Sequence, residues 1–135
     1  MPLERVLVDT SAWIESFRKA GSPDLKGYLT QAIRSGVAAT APIILLELLQ
    51  GCRTEEERDG LRMRLESLDF LMIGDAVWER AYALGFSLRR KGLSVPTADI
   101  VIAALAIENG SSLLHQDKHF ELVARQSSLR TKTFA

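Results

Sequence analysis

Four acidic residues, Asp9, Glu47, Asp99 and Asp117, each border one of the most water-avoiding stretches of the chain. Asp9 closes the apolar run Val6-Leu7-Val8, and Glu47 is the one acid in residues 37–52. Asp117 follows Leu113-Leu114-His115-Gln116, and Asp99 lies in the segment TADIVIAALAIEN at 97–109. A lone ionised carboxylate in apolar surroundings is costly, so it protonates, finds a cationic partner or coordinates a metal. Carboxylates held a few ångströms apart cannot all stay ionised without such compensation. Brought together in space, the four would form a divalent-cation site. Oxygen donors suit Mg²⁺ or Mn²⁺ better than zinc, and no cysteine or histidine pair has zinc-like spacing. A cation held this way polarises a phosphoryl oxygen and lowers the pKa of bound water. Two ions about 3.5–4 Å apart steady both the attacking and the leaving oxygen. Phosphodiester hydrolysis is the chemistry this donor set suits best. Thr10 and Ser11, beside Asp9, either orient a carboxylate or a bound water or cap the first helix.

Each acid also has a plainer structural reading. Asp99, in the first turn of a helix, sits well at the positive end of its dipole. Asp117, just before a helix, is a natural N-cap. Glu47 could pair with an arginine such as Arg53, because buried acids are usually paired. None of these readings accounts for all four acids, and their recurrence at apolar borders favours a shared site.

Positioning them requires a particular order of elements. Residues 5–9 form a short branched-rich segment that runs into a helix start, with Trp13, Ile14 and Phe17 at helical spacing and a stop near Gly21. Ser22-Pro23 restarts a helix to about residue 35, with Leu25, Tyr28, Leu29, Ala32 and Ile33 facing inward. Residues 37–40 form a strand, and Pro42 opens a helix that carries Glu47 and stops at Gly51. Residues 54–68 are a charged surface helix with a buried edge of Leu61, Leu65 and Leu68. A strand at 70–73 and an amphipathic helix at 75–90, through Val77, Ala81, Leu84 and Leu88, come next. The helix at 97–109 is apolar on almost every side and therefore belongs in the interior. A strand at 112–115, a short helix at 118–126 and a last strand at 130–133 complete the chain. Short strands alternating with helices predict an α/β fold with a mostly parallel sheet covered on both faces. In such a sheet, ligands gather at the carboxyl ends of the strands, where chain crossings diverge. Asp9 and Asp117 fall on that edge.

The length of 135 residues suits a single domain spanning 1–135. Seventeen basic residues balance seventeen acidic ones, which excludes a polycationic nucleic-acid coat but allows a local basic groove. Candidates for such a groove are Arg18, Lys19, Arg89, Arg90, Lys91 and Lys118. The single cysteine, Cys52, cannot form an internal disulfide, and the N-terminus does not read as a secretory signal. The expected location is therefore the cytoplasm. The longest uncharged runs fall short of the roughly 18 apolar residues of a membrane span, so no membrane association is expected.

With these residues in place, the chain resembles the PIN-domain ribonucleases, in particular the VapC-like toxins of type II toxin-antitoxin modules. The resemblance rests on VLVDTSAWIE at the start, LLELLQG in the middle and PTADIVIAALAIENGSSLLHQDKHF after it, and so covers nearly the whole chain. It implies a three-layer α/β/α sandwich with a parallel sheet of about five strands, and Mg²⁺- or Mn²⁺-dependent endoribonuclease activity. It further implies inhibition by a cognate antitoxin, and a homodimer or toxin-antitoxin hetero-oligomer. Asp9, Glu47, Asp99 and Asp117 match the family's acidic quartet, as catalytic residues and metal ligands, and Ser11 falls on the small polar position that supports the first acid. Two positions depart from the pattern. His115 stands where many relatives carry threonine, and His119 stands where many carry a further acid, which weighs against a second tightly held metal. His119 is expected to be solvated or to pack on its helix.

Two other readings compete. A phospho-receiver domain also gathers acids and Mg²⁺ at strand ends, but receivers usually carry paired acids after the first strand, and here Asp9 is followed by Thr10. A PIN-like scaffold that binds RNA or a partner without turnover would not need a complete set of acids. Trp13 and Phe17 are expected in the core, unless the first helix presents its stripe to a partner. Arg58, Arg62 and Arg64 read as a solvated face offsetting Glu55, Glu56, Glu57 and Asp59.

Overall fold

The computed structural model describes residues 4–135. Its centre is β1 (Val6–Val8), three buried branched residues paired on both sides. Val6 and Leu7 align with Ala38 and Ala39 of β2 (Ala38–Thr40), while Val6 to Val8 align with Ser112 to Leu114 of β4 (Ser112–Leu114). Outside these lie β3 (Asp69–Phe70) and β5 (Thr131–Lys132), giving the order β3-β2-β1-β4-β5 with every pairing parallel. The chain first steps from β1 through β2 to β3 and then crosses back to β4. The reversal of direction therefore falls between β1 and β4, where a crevice opens at the carboxyl edge.

Right-handed crossovers place the first helices on one face and the later ones on the other. On one side, α1 (Thr10–Phe17) packs against α2 (Pro23–Arg34) and α3 (Pro42–Gln50), and α3 against α4 (Glu55–Glu66). On the other, α5 (Asp75–Arg90) packs along α6 (Thr97–Glu108), which also contacts α7 (Lys118–Arg125). The result is the expected three-layer sandwich. Among the described residues, no helix is long and apolar enough to cross a membrane.

Helix α6 is the packing centre of its layer. Six consecutive residues, Val101 to Ala106, are buried, so the helix has no solvent face over that span. Ala103, Ala104 and Ala106 let the backbone approach the sheet, while Ile102 and Leu105 fill the space beside Leu113 and Leu114 of β4, all fully buried. Each such branched side chain contributes about 1.5–3 kcal/mol by leaving water. The chain leaves α6 through Gly110, whose φ of +62° lets the Ser111 N–H reach the Ala106 carbonyl at 2.9 Å. That reversal feeds directly into β4 and so fixes where Asp117 emerges.

Four expectations need adjusting. Strand β3 covers Asp69–Phe70 rather than 70–73, because at the sheet edge only Ala39 and Thr40 face it in register. Helix α1 stops at Phe17, four residues before Gly21, as Arg18 turns extended and the Glu15 carboxylate takes the Ser22 N–H at 2.8 Å. Ile33 is largely exposed at the end of α2. Trp13 is buried as expected, but Phe17 stands mostly in solvent, so the first helix does present part of its stripe.

Candidate active site

Asp9 follows directly from β1 and is the N-cap of α1. Its Oδ2 accepts both the backbone N–H of Ser11 at 2.9 Å and the Ser11 hydroxyl at 2.5 Å. The Ser11 Oγ in turn accepts the N–H of Gln116 at 2.9 Å, which ties the end of β1 to the segment after β4. Asp9 is only 4% exposed. Burial pushes its carboxyl above the ordinary range and the Glu47 charge adds to this, while the bonds from Ser11 oppose it.

Glu47 projects from the middle of α3, and its Oε1 accepts the Thr10 hydroxyl at 2.7 Å. Thr10 and Ser11 thus both hold carboxylates, and the cap of α1 is Asp9 itself. Among the ion pairs of the described residues, none joins Glu47 to Arg53.

Asp99 is the third residue of α6, with its side chain 13% exposed. Burial, followed by the negative charges of Asp9 and Asp117 and then of Glu47, pushes its carboxyl up to about 6, against an opposing contribution from His119. Three acids remote in sequence therefore act on Asp99 at close range. The fold brings the four expected acids together.

Asp117 is the N-cap of α7, where its Oδ1 accepts the His119 N–H at 3.0 Å. Capping and membership of the cluster coincide here rather than compete. Its own N–H donates to Nδ1 of His115 at 3.0 Å. With Nδ1 accepting, His115 carries its proton on Nε2 and donates it to Glu121 Oε1 at 2.8 Å. Glu121 also accepts the Thr131 hydroxyl at 2.9 Å, and these two bonds, His115 first, hold its carboxyl below the ordinary range. His115 is fully buried, so the Asp117 turn rests on a packed imidazole.

His119 differs from expectation. Its ring folds back toward the cap, placing Nδ1 2.9 Å from Asp117 Oδ1 and 3.5 Å from Asp99 Oδ2. That nitrogen is shielded from solvent and has no hydrogen-bond partner. Single ligand atoms of Asp99, Asp117 and His119 lie within 4.8 Å of one another. The sequence signal is the position of His119, two residues after a capping acid, where a ring at the second helical position can turn back over the cap.

The donor set fits a divalent cation. Among the described residues, no lysine or arginine pairs with any of the four acids, and the basic group beside them is His119, 2.9 Å from Asp117 and 3.5 Å from Asp99. The Asp99 carboxyl, raised by burial and by its acidic neighbours, and the unpartnered His119 nitrogen 3.5 Å from it are donors that a divalent cation would satisfy. Next to Glu47 opens a mainly apolar cleft lined by Ile14, Phe17, Leu48, Leu61 and Arg64. On the other side, Arg89 shares a small cleft with Thr97, the first residue of α6.

The PIN-domain family model matches residues 6–126. VapC ribonuclease Mb1587 of Mycobacterium bovis is 34% identical over 134 residues, covering 96% of this chain and 98% of that protein. Ribonuclease VapC21 of Mycobacterium tuberculosis is 32% identical over 123 residues, covering 89% of this chain and 86% of the other. Among solved structures, VapBC2 from Rickettsia felis bound to a promoter DNA fragment superposes with a TM-score of 0.80 at 19% identity, over 96% of this chain and 98% of that one. VapBC-5 of Mycobacterium tuberculosis, described as a member of the VapBC family of toxin-antitoxin systems, gives a TM-score of 0.64 at 23% identity over 98% of both chains.

Proposed function

The chain belongs to the PIN-domain family, and from that premise we propose that it is a VapC-type endoribonuclease toxin, working in the cytoplasm on RNA with Mg²⁺ or Mn²⁺ and restrained by a cognate antitoxin. The observation that carries this reading is the convergence of Asp99, Asp117 and His119, whose ligand atoms lie within 4.8 Å of one another, with burial and then the charges of Asp9, Asp117 and Glu47 raising the Asp99 carboxyl. Relatives at 34% and 32% identity over most of the chain are named ribonucleases, which supports the reaction class.

Asp9, Glu47, Asp99 and Asp117 are the proposed metal-holding and catalytic acids. A divalent cation bound among them supplies charge to polarise a phosphoryl oxygen and to acidify a coordinated water. The chain's own part is to hold the acids still. Ser11 fixes one oxygen of Asp9, Thr10 fixes one of Glu47, and the α7 cap fixes one of Asp117. Orientation set beforehand by such bonds removes reorganisation from the reaction itself. Of the basic candidates, Lys118, the neighbour of Asp117, and Arg89, which lines a cleft with Thr97, are the ones we favour for neutralising RNA phosphates, a role supported by that adjacency.

The cleft of Ile14, Phe17, Leu48 and Leu61 ends at Glu47 and offers exposed apolar surface next to the acids. A segment of an antitoxin seated there would cover Phe17 and obstruct the acids at once. The toxin-antitoxin description of VapBC-5 supports this partner class. Family membership sets the receiver reading aside, and the complete set of acids favours turnover over a silent scaffold.

The test is RNA cleavage by the purified chain. Cleavage should require Mg²⁺ or Mn²⁺, cease in excess chelator, and be lost in Asp99→Asn while the far-ultraviolet dichroism stays native. Cleavage that persists undiminished in chelator contradicts the reading.

A further inference from the structure

His119 sets its imidazole at the edge of the acid cluster without a hydrogen bond of its own. Its backbone N–H completes the α7 cap on Asp117 Oδ1, but its ring nitrogen Nδ1 is shielded from solvent and bonds to nothing. A polar nitrogen shielded from water and left without a partner is unfavourable, so the fold gains by giving it one. The ring is not free to find one elsewhere, because it already lies over the two carboxylates, 2.9 Å from Asp117 Oδ1 and 3.5 Å from Asp99 Oδ2. Adjacent ligands of an octahedral ion with bonds of about 2.1 Å sit roughly 3 Å apart. The approach of His119 to Asp117 has that length, and its approach to Asp99 is slightly wider. One ion can bridge all three with small side-chain adjustments.

We propose that His119 is a nitrogen ligand of the cation held by Asp99 and Asp117, and that it makes this site select first-row transition ions over Mg²⁺. The inference rests on the proposed reading of the acids as a divalent-cation site and adds to it a ligand and a preference. Imidazole is a borderline donor: Mg²⁺ favours oxygen and gives up its waters reluctantly, whereas Mn²⁺ and the later divalent ions accept nitrogen more readily. An aspartate at this position would leave an all-oxygen set with no such bias.

The experiment titrates the full chain with MnCl₂ and with MgCl₂ by calorimetry, for the native sequence, His119→Ala, His119→Asp and Asp99→Asn. Pulsed electron paramagnetic resonance of the Mn²⁺-loaded protein reads nitrogen coupling to the ion. The native chain should bind Mn²⁺ at least about tenfold more tightly than Mg²⁺, a difference of about 1.4 kcal/mol. His119→Ala should weaken Mn²⁺ about tenfold and Mg²⁺ by less than about threefold, and His119→Asp should narrow the preference; the nitrogen coupling should vanish in both. Mn²⁺ affinity that falls in Asp99→Asn but is equal in the native chain and both His119 variants overturns the inference and leaves the acid site standing. Mn²⁺ affinity indifferent to every variant, Asp99→Asn included, overturns both. Should a His119 variant fail to fold, the native spectrum decides, since a Mn²⁺ signal without nitrogen coupling is incompatible with the proposed ligand.

Discussion

The hydroxyl of Thr10 donates to Oε1 of Glu47 at 2.7 Å, joining the first turn of α1 to an acid 37 residues further along the chain. The bond fixes a carboxylate that would otherwise swing on a flexible side chain in the middle of α3. A neutral donor to an ionised acceptor contributes more than an ordinary hydrogen bond, although the partial exposure of this pair reduces its share. Thr10→Val keeps the shape and removes the donor. It should cost about 1 kcal/mol in chemical denaturation and lower RNA cleavage about tenfold, while Thr10→Ser restores most of both. Native cleavage by Thr10→Val would mean that Glu47 needs no fixing.

Ser11 does two jobs with one oxygen, donating to Asp9 and accepting from the Gln116 N–H. Ser11→Ala leaves that backbone N–H unpaired in a partly buried place and removes a bond that favours ionised Asp9. The variant should lose about 1–2 kcal/mol of stability and should need a higher pH for half-maximal Mn²⁺ binding, read by titrating the metal at several pH values. An unchanged pH midpoint would separate Ser11 from the state of Asp9.

The raised carboxyl of Asp99 makes a prediction for the metal-free protein. Its folded value, about 6, lies above the ordinary value of 3.8, so ionising it is harder in the folded state than in the unfolded one. Stability from this group is complete below about pH 4 and is lost as pH rises through about 6, by up to about 3 kcal/mol. Melting temperature in chelator should therefore fall between pH 4 and pH 7 more steeply for the native chain than for Asp99→Asn. Mn²⁺ added at pH 7 should raise it again, since a ligand of the folded state stabilises by mass action. Parallel pH profiles for the two proteins would show that Asp99 bears no such penalty.

Much of this arrangement is legible in the amino-acid sequence alone. Asp9 and Asp117 stand out because each follows a short apolar strand, and in a parallel sheet strand ends share an edge. Asp99 stands out because a helix as uniformly apolar as α6 leaves an acid in its first turn conspicuous. The roles of Thr10 and Ser11 are not legible in this way, because side-chain capping is a local habit and their actual partners, Glu47 and Gln116, are distant in sequence. His115 and His119 are hidden for the same reason. Whether an imidazole is packed, solvated or aimed at a carboxylate depends on contacts with Glu121, Asp99 and Asp117 that only the closed fold sets. The edge strand β3 is shorter than its apolar residues suggest, because its length is set by its single neighbour, β2.

The most direct measurement is anomalous X-ray scattering from crystals grown with Mn²⁺. An anomalous peak is predicted within about 2.5 Å of carboxylate oxygens from Asp99 and Asp117. Crystals that carry Mn²⁺ only elsewhere on the molecule, with these carboxylates bonded to one another or to water alone, would contradict a shared cation site.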